Sequence, residues 1–273
     1  MSESQKPKEF KYVFHGRVLP ERADVEITGG PIIGIQTSTG YDLRISFEIR
    51  KSLISIHVTS FGEITDFAEV RNFLLDFVRL HTDSYGYIKG YAYDAEITSV
   101  SGENNQPYII FGVGIKELTD EESKRAFQKI DKIILLAIQD KYRFIYGTLA
   151  NLRLSIKYPS DTGTFCYRAV ESIRQYFGVK GDSRDARKKA WEKLNAELNV
   201  DKSWTARIAD FALDPRHGKQ KSITHDERVE IMQKTWVIVD RFLIYAQNNE
   251  QTLDTASFPL LKYNDTKGTK ESL

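Results

Sequence analysis

The stretch DPRHGKQ, residues 214–220, sets an arginine, a histidine and a lysine at one corner of the chain, and Lys221 follows directly. Arginine binds a phosphate through two parallel N–H groups, and histidine takes up or gives a proton near neutral pH. Arg216 and His217 are therefore candidates for acid–base chemistry at a phosphodiester, with Lys219 and Lys221 as candidate anion-holding side chains. Gly218 permits close backbone approach, and a helix opening at Thr224 would present free N–H groups to a negative charge. The plain alternative is a solvated basic turn between two helices.

Two further groupings have the residue types for chemistry. In TGTFCYRAVESIRQYFG, Arg168 and Glu171 stand three apart and Glu171 and Gln175 four apart, so they share one helical flank. Glu171 there either orients a catalytic Arg or His or closes a surface ion pair. Later, Lys180, Arg184, Arg187, Lys188, Lys189 and Lys193 crowd the start of a helix. They either track a phosphate backbone or form a solvated face diluted by Asp182, Asp185 and Glu192. Cys166 falls on an apolar helix face and reads as a small core residue rather than a nucleophile. His15, His57, His81, His217 and His225 have no metal-ligand spacing among them, so neither a metal nor a cofactor is expected. Walker A, H-E-x-x-H and G-x-S-x-G patterns are absent, and FGVGIK reads as a bulged strand.

The elements that must position these residues fall into two halves. KYVFHGRVL, DVEITGGPIIGIQ and the alternating DLRISFEIRKSLISIHVT read as strands, with a break at Lys51-Ser52. ITDFAEVRNFLLDFVRLH reads as one helix with Thr65 or Asp66 at its N-cap, and strands return over 87–100 and 108–115. From Thr119 the period becomes helical. T-x-x-E capping boxes stand at Thr119 and Thr224, and six helices follow one another to Glu250. The pattern predicts an α+β chain: a mainly antiparallel β domain with one helix over 1–118, an all-α helical bundle over 119–250, and a loose tail over 251–273.

Composition limits the function classes. With 41% hydrophobic and 28% charged residues, the chain suits a globular protein, and its apolar runs are too short to span a bilayer. The polar N-terminus and the lone cysteine lead to an expected cytoplasmic location, with no membrane partner. Residues 1–120 hold twelve Lys and Arg against seventeen Asp and Glu, whereas the remainder holds twenty-seven against twenty-one. An anionic partner therefore belongs with the back half.

The back half resembles HEPN domains (higher eukaryotes and prokaryotes nucleotide-binding) over about residues 120–249. CYRAVESIRQYFG stands for an early helix of that family, DPRHG for its Arg- and His-bearing corner, and DERVEIMQKTWVIVDRFLIYA for its long closing helix. The resemblance implies a helical bundle, often dimeric, used by metal-independent ribonucleases of toxin–antitoxin and antiviral defence systems. Their R-x(4–6)-H motif would place an arginine at 210, 211 or 212, where this chain has Asp, Phe and Ala. Arg207 lies further upstream, and it converges with Arg216 and His217 only if the chain folds back at Pro215.

Two functions fit these residues. One is a HEPN-like interaction or nucleic-acid-binding protein, its bundle forming a homodimer and its β domain binding a ligand or protein partner. The other is a metal-independent ribonuclease with a composite site of His217, Arg216, Arg207 and Glu171, and with RNA held by Lys219, Lys221, Arg184, Arg187 and Lys188.

Overall fold

The computed structural model describes residues 8–37, 40–102, 108–112, 114–115, 118, 126–178, 183–216 and 223–262. The chain divides into two compact units, Met1–Val113 and Gly114–Leu273. The division falls five residues before the boundary expected from the change of period.

Among the described residues the first unit is a six-stranded antiparallel sheet with one α-helix. Its strands are β1 (Phe10–Leu19), β2 (Ile27–Gln36), β3 (Asp42–Arg50), β4 (Leu53–Ser60), β5 (Asp94–Gly102) and β6 (Ile109–Ile110), in the order β2-β3-β4-β1-β5-β6. The alternation over 42–59 belongs to two strands. Lys51 and Ser52 both take positive φ, 50° and 62°, and turn β3 back along β4 as a hairpin. Ser52 is buried in that turn. Its backbone N–H donates to the Val25 carbonyl, and its hydroxyl accepts from the Val25 N–H. Opposite Gly16, β5 bulges between Ile97 and Ser99; a Cβ at Gly16 would lie 2.1 Å from the Glu96 carbonyl oxygen.

Helix α1 (Phe67–Lys89) is capped by Asp66, whose Oδ1 accepts from the N–H groups of Ala68 and Glu69. It buries Val70, Leu74, Leu75 and Val78 with Leu43, Ile45, Phe47, Ile54 and Ile56 of the sheet. Each such aliphatic side chain contributes roughly 1.5–3 kcal/mol by leaving water. The helix continues to Lys89, nine residues past the apolar repeat that defined it, and ends where Gly90 takes the left-handed conformation at φ 71°. The strand expected from Tyr87 therefore begins only at Asp94, and β6 has two residues rather than eight.

The second unit contains α2 (Ala126–Ala137), α3 (Ile145–Lys157), α4 (Thr162–Tyr176), α5 (Arg184–Glu197), α6 (Lys202–Arg216) and α7 (His225–Gln247). The box at Thr119 lies outside the described residues. The box at Thr224 is formed on both sides: its hydroxyl accepts from the Glu227 N–H, and Glu227 Oε2 accepts from the Thr224 N–H at 3.1 Å. The buried line of α7 runs through Ile231, Met232, Thr235, Ile238, Val239, Phe242 and Leu243. Of the apolar repeat Val229, Met232, Trp236, Val239 and Leu243 that the sequence shows, Met232, Val239 and Leu243 are buried and Val229 and Trp236 half-buried. Two arginines lie buried along α7, and each closes the end of another helix. Arg228 donates from Nε to Thr162 Oγ1 at 2.9 Å and from Nη2 to the Ser155 and Ile156 carbonyls at the end of α3. Arg241 donates to the Leu198 and Asn199 carbonyls after α5, at 2.9 and 2.8 Å. A cation at a helix C-terminus satisfies orphan carbonyls and also meets the negative end of the dipole.

The expected loose tail is corrected as far as residue 262. Asn199, in the left-handed conformation at φ 51°, donates from Nδ2 to the Leu253 and Phe258 carbonyls. Arg241 holds the Pro259 carbonyl, Leu253 is buried, and Val200 forms a bridge with Leu261. Backbone partners supplied by the α5–α6 connection fix a segment whose own composition is polar. Among the described residues no helix is long and apolar enough to cross a membrane.

Candidate functional site

The residues singled out from the sequence divide into three groups. At the DPRHGKQ corner, α6 runs through Asp214 and Pro215 to Arg216, past the residue before the proline where a helix commonly ends. The proline forfeits one helical bond there, the N–H that would reach the Phe211 carbonyl. His217, Lys219 and Lys221 lie outside the described residues, as does the side chain of Arg216.

Arg207 and Glu171 engage different partners. Half-buried Arg207 donates to Glu230 of α7 at 3.3 Å, and its guanidinium lies 4.5 Å from the centroid of Phe211. Glu230 also pairs with Lys234 at 3.5 Å, and Lys234 sits over Trp204 at 4.1 Å. Burial holds the Lys234 ammonium below the usual lysine range, opposed by the Glu230 charge. This group is an α6–α7 contact. Glu171 stands 3.9 Å from Arg174, a buried arginine whose guanidinium lies 5.9 Å from the centroid of Trp191 on α5. Cys166 is fully buried, and burial pushes its thiol up to about 11, which removes it as a nucleophile near neutral pH.

The third group, Arg184, Arg187 and Lys188, is exposed on α5. Helix α5 starts where Ser183 Oγ accepts from the Ala186 N–H, and it is anchored to the core through Ala190 and Leu194. Counted along that helix, Arg184, Arg187, Lys188, Trp191 and Asn195 fall at i, i+3, i+4, i+7 and i+11, which is one stripe. The stripe runs from three cations into a groove of about 300 Å³. One wall is Tyr167 of α4 with Lys188, Trp191, Glu192 and Asn195 of α5; the other is Lys202, Thr205, Ala206 and Ala209 of α6.

Local chemistry keeps the groove open. After α5 the Val200 N–H returns to the Asn195 carbonyl, a Schellman closure around left-handed Asn199. Asp201 then accepts from Ser203, whose hydrogen bonds hold its carboxyl below the usual range, and α6 begins. Alanines at 206 and 209 leave space that a larger side chain would fill. Tyr167 and Trp191 stand with ring centroids 6.3 Å apart and tilted by 39°. Asn195 Oδ1 is buried and has no hydrogen-bond partner in the protein. Aromatic faces, two lysines against one glutamate, and an unanswered buried acceptor suit a planar anionic ligand that carries a donor. Among the described residues no three His, Cys, Asp or Glu side chains gather as a metal site.

Of the groove residues, Lys188 is the one that the sequence assigns to nucleic acid, and Trp191 shares a helix face with Leu194 and Leu198. Tyr167, Asn195 and Lys202 have no sequence signal that marks them as a site, although the α5 stripe follows from spacing alone.

Comparison with known families gives two matches. The model of the DUF8168 N-terminal domain, described as a domain of unknown function, matches residues 12–111, and that of the DUF8168 C-terminal domain matches residues 130–247. No curated protein and no solved structure matches the chain.

Proposed function

This chain belongs to the DUF8168 family, and we propose that its helical unit is a HEPN-like bundle that binds RNA without cleaving it. The observation that carries this reading is the α5 stripe, on which Arg184, Arg187 and Lys188 stand exposed in line with Trp191 at the groove. Cations that neutralise phosphates beside an aromatic on which a base stacks are the two components of single-strand binding. The basic residues Arg216, His217, Lys219 and Lys221 of the sequence are a second proposed contact for the backbone of such a strand.

Self-association and partner binding form the rest of the proposal. Ile130, Ile134 and Ile138 recur every four residues from α2 onward and are exposed, with Leu135 beside them. A stripe of this kind supports pairing of two copies. On the first unit, the sheet face opposite the core carries Ser46, Ser55, His57 and His15, with His15 Nε2 3.1 Å from Ser101 Oγ. That polar face supports the reading of this unit as the ligand- or partner-binding one.

The test is fluorescence anisotropy of a labelled single-stranded RNA against the full chain between about 50 and 200 mM salt. Arg184→Glu with Lys188→Glu is expected to weaken binding at every sequence, and each lost phosphate contact lowers the salt slope by about 1. Affinity unchanged in that variant would overturn the proposal. RNA recovered intact in the presence of a chelator supports binding without turnover. Cleavage under those conditions, abolished in His217→Ala, would replace it with the metal-independent ribonuclease reading.

A further inference from the structure

The groove between α4, α5 and α6 has features that phosphate binding alone does not require. Its volume of about 300 Å³ lies at the lower end of the small-molecule range of roughly 300–1,000 Å³. That is room for one planar ring system with part of a sugar, and too little for a peptide helix. Trp191 and Tyr167 line it with aromatic surface, and the buried Arg174 guanidinium over the indole fixes the Trp191 ring. Lys188 and Lys202 line the groove with Glu192, which stands 3.8 Å from Lys188; both members of that pair are largely exposed. Asn195 Oδ1 is the remaining feature: an acceptor shut away from water is costly until a donor reaches it.

We propose that this groove is a nucleobase pocket, which takes one amino-bearing base against Trp191, presents the base's exocyclic amine to Asn195, and leaves its phosphate at Lys188 and Lys202. The inference rests on the RNA-binding reading and names what that surface recognises. Stacking on Trp191 alone accepts any base, because every base has a π-face. An asparagine side chain that accepts from an exocyclic amine, and donates to a neighbouring ring nitrogen, favours adenine. An apolar ligand would leave Asn195 unanswered, and a free anion would leave both rings unused.

The experiment is calorimetric titration of the full chain with AMP, UMP, adenosine and inorganic phosphate, in the wild type and in three variants. AMP is expected to bind with one-site saturation, at least about tenfold tighter than UMP, adenosine or phosphate. Trp191→Ala lowers AMP affinity about tenfold or more, while Trp191→Phe retains most of it and controls for folding. Asn195→Leu brings AMP and UMP to similar affinity. Phosphate binding as tightly as AMP, or AMP binding untouched by Trp191→Ala in a folded variant, overturns the pocket.

The two readings fail separately. RNA bound by a chain that does not bind AMP removes the pocket and leaves the RNA surface. AMP bound by a chain that ignores RNA keeps the pocket, now for a free nucleotide, and removes the RNA reading.

Discussion

Gly163 gives the sharpest test of how α4 and α6 are held. It is the second residue of α4 and is buried. A Cβ built there would lie 2.6 Å from the Phe211 carbonyl oxygen, 2.7 Å from Phe211 Cβ and 2.9 Å from the Phe211 carbonyl carbon. All three distances are below the 3.0 Å that Cβ contacts respect, and two of the three atoms are backbone. No rotamer change relieves the contact, so one helix must move. Pro215 adds to the closeness, because it cannot supply the helical N–H that the Phe211 carbonyl would otherwise receive. Overpacking costs about 1–3 kcal/mol, and a backbone clash belongs near the top of that range. Alanine returns up to about 1 kcal/mol of helix propensity. Gly163→Ala is therefore expected to cost about 2 kcal/mol. In a unit of this size that lowers the melting temperature by about 4–8 °C. Scanning calorimetry of the full chain reads it as a shift of the helical unit's transition. Tyr167 lies one turn beyond Gly163, and Ala209 lies two residues before Phe211. The movement that relieves the clash thus reaches the groove, so the AMP affinity proposed for it is expected to fall with the melting temperature. A Gly163→Ala variant that melts at or above the wild type refutes this account of the contact.

Other consequences follow from the same packing. Arg228→Ala strips the end of α3 of its donors and is expected to cost about 3 kcal/mol or more in urea denaturation; Arg228→Lys recovers only part, because one ammonium cannot span Thr162 and two carbonyls. Arg241→Ala is expected to release the docked segment at 251–262, read as a new limited-proteolysis cut there while the helical circular dichroism is retained. Glu250 accepts hydrogen bonds from Lys141 and Tyr142, which hold its carboxyl down from 4.5 to about 2. A depressed carboxylate stabilises the fold above its ordinary value and loses that contribution as pH falls through the depressed one. Glu250→Gln should therefore be less stable than the wild type at neutral pH, with the gap closing between about pH 4.5 and 2 in acid denaturation profiles. The proposed pairing through α2 predicts that Ile134→Lys lowers the sedimentation coefficient; an unchanged coefficient removes α2 as the pairing face.

The elements that the sequence revealed are those whose signals are local. The Thr224 box, the Asp66 cap and the alternation of β3 and β4 each use residues a few positions apart, and each is formed as the spacing demands. Where expectation and structure part, the deciding partner is distant or competing. Tyr87, Ile88 and Tyr91 have the composition of a strand, yet they stand exposed around the end of α1, because helix continuation up to a left-handed Gly90 prevails over β propensity. The segment after Glu250 looked loose because its binding groups, Asn199 and Arg241, lie in other elements and act through backbone carbonyls that no side-chain pattern encodes. The groove has the same cause. Trp191 sits at the border of the α5 face that buries Leu194, one turn from exposed Lys188, and periodicity alone assigns such a border residue to either side. What makes it a wall rather than core is the pair of small residues opposite, Ala206 and Ala209, on a helix brought there by the left-handed Asn199 turn and its arginine clamp. A groove of this kind becomes legible when an aromatic at the edge of an apolar stripe continues a line of cations and an alanine pair stands on the next helix in sequence.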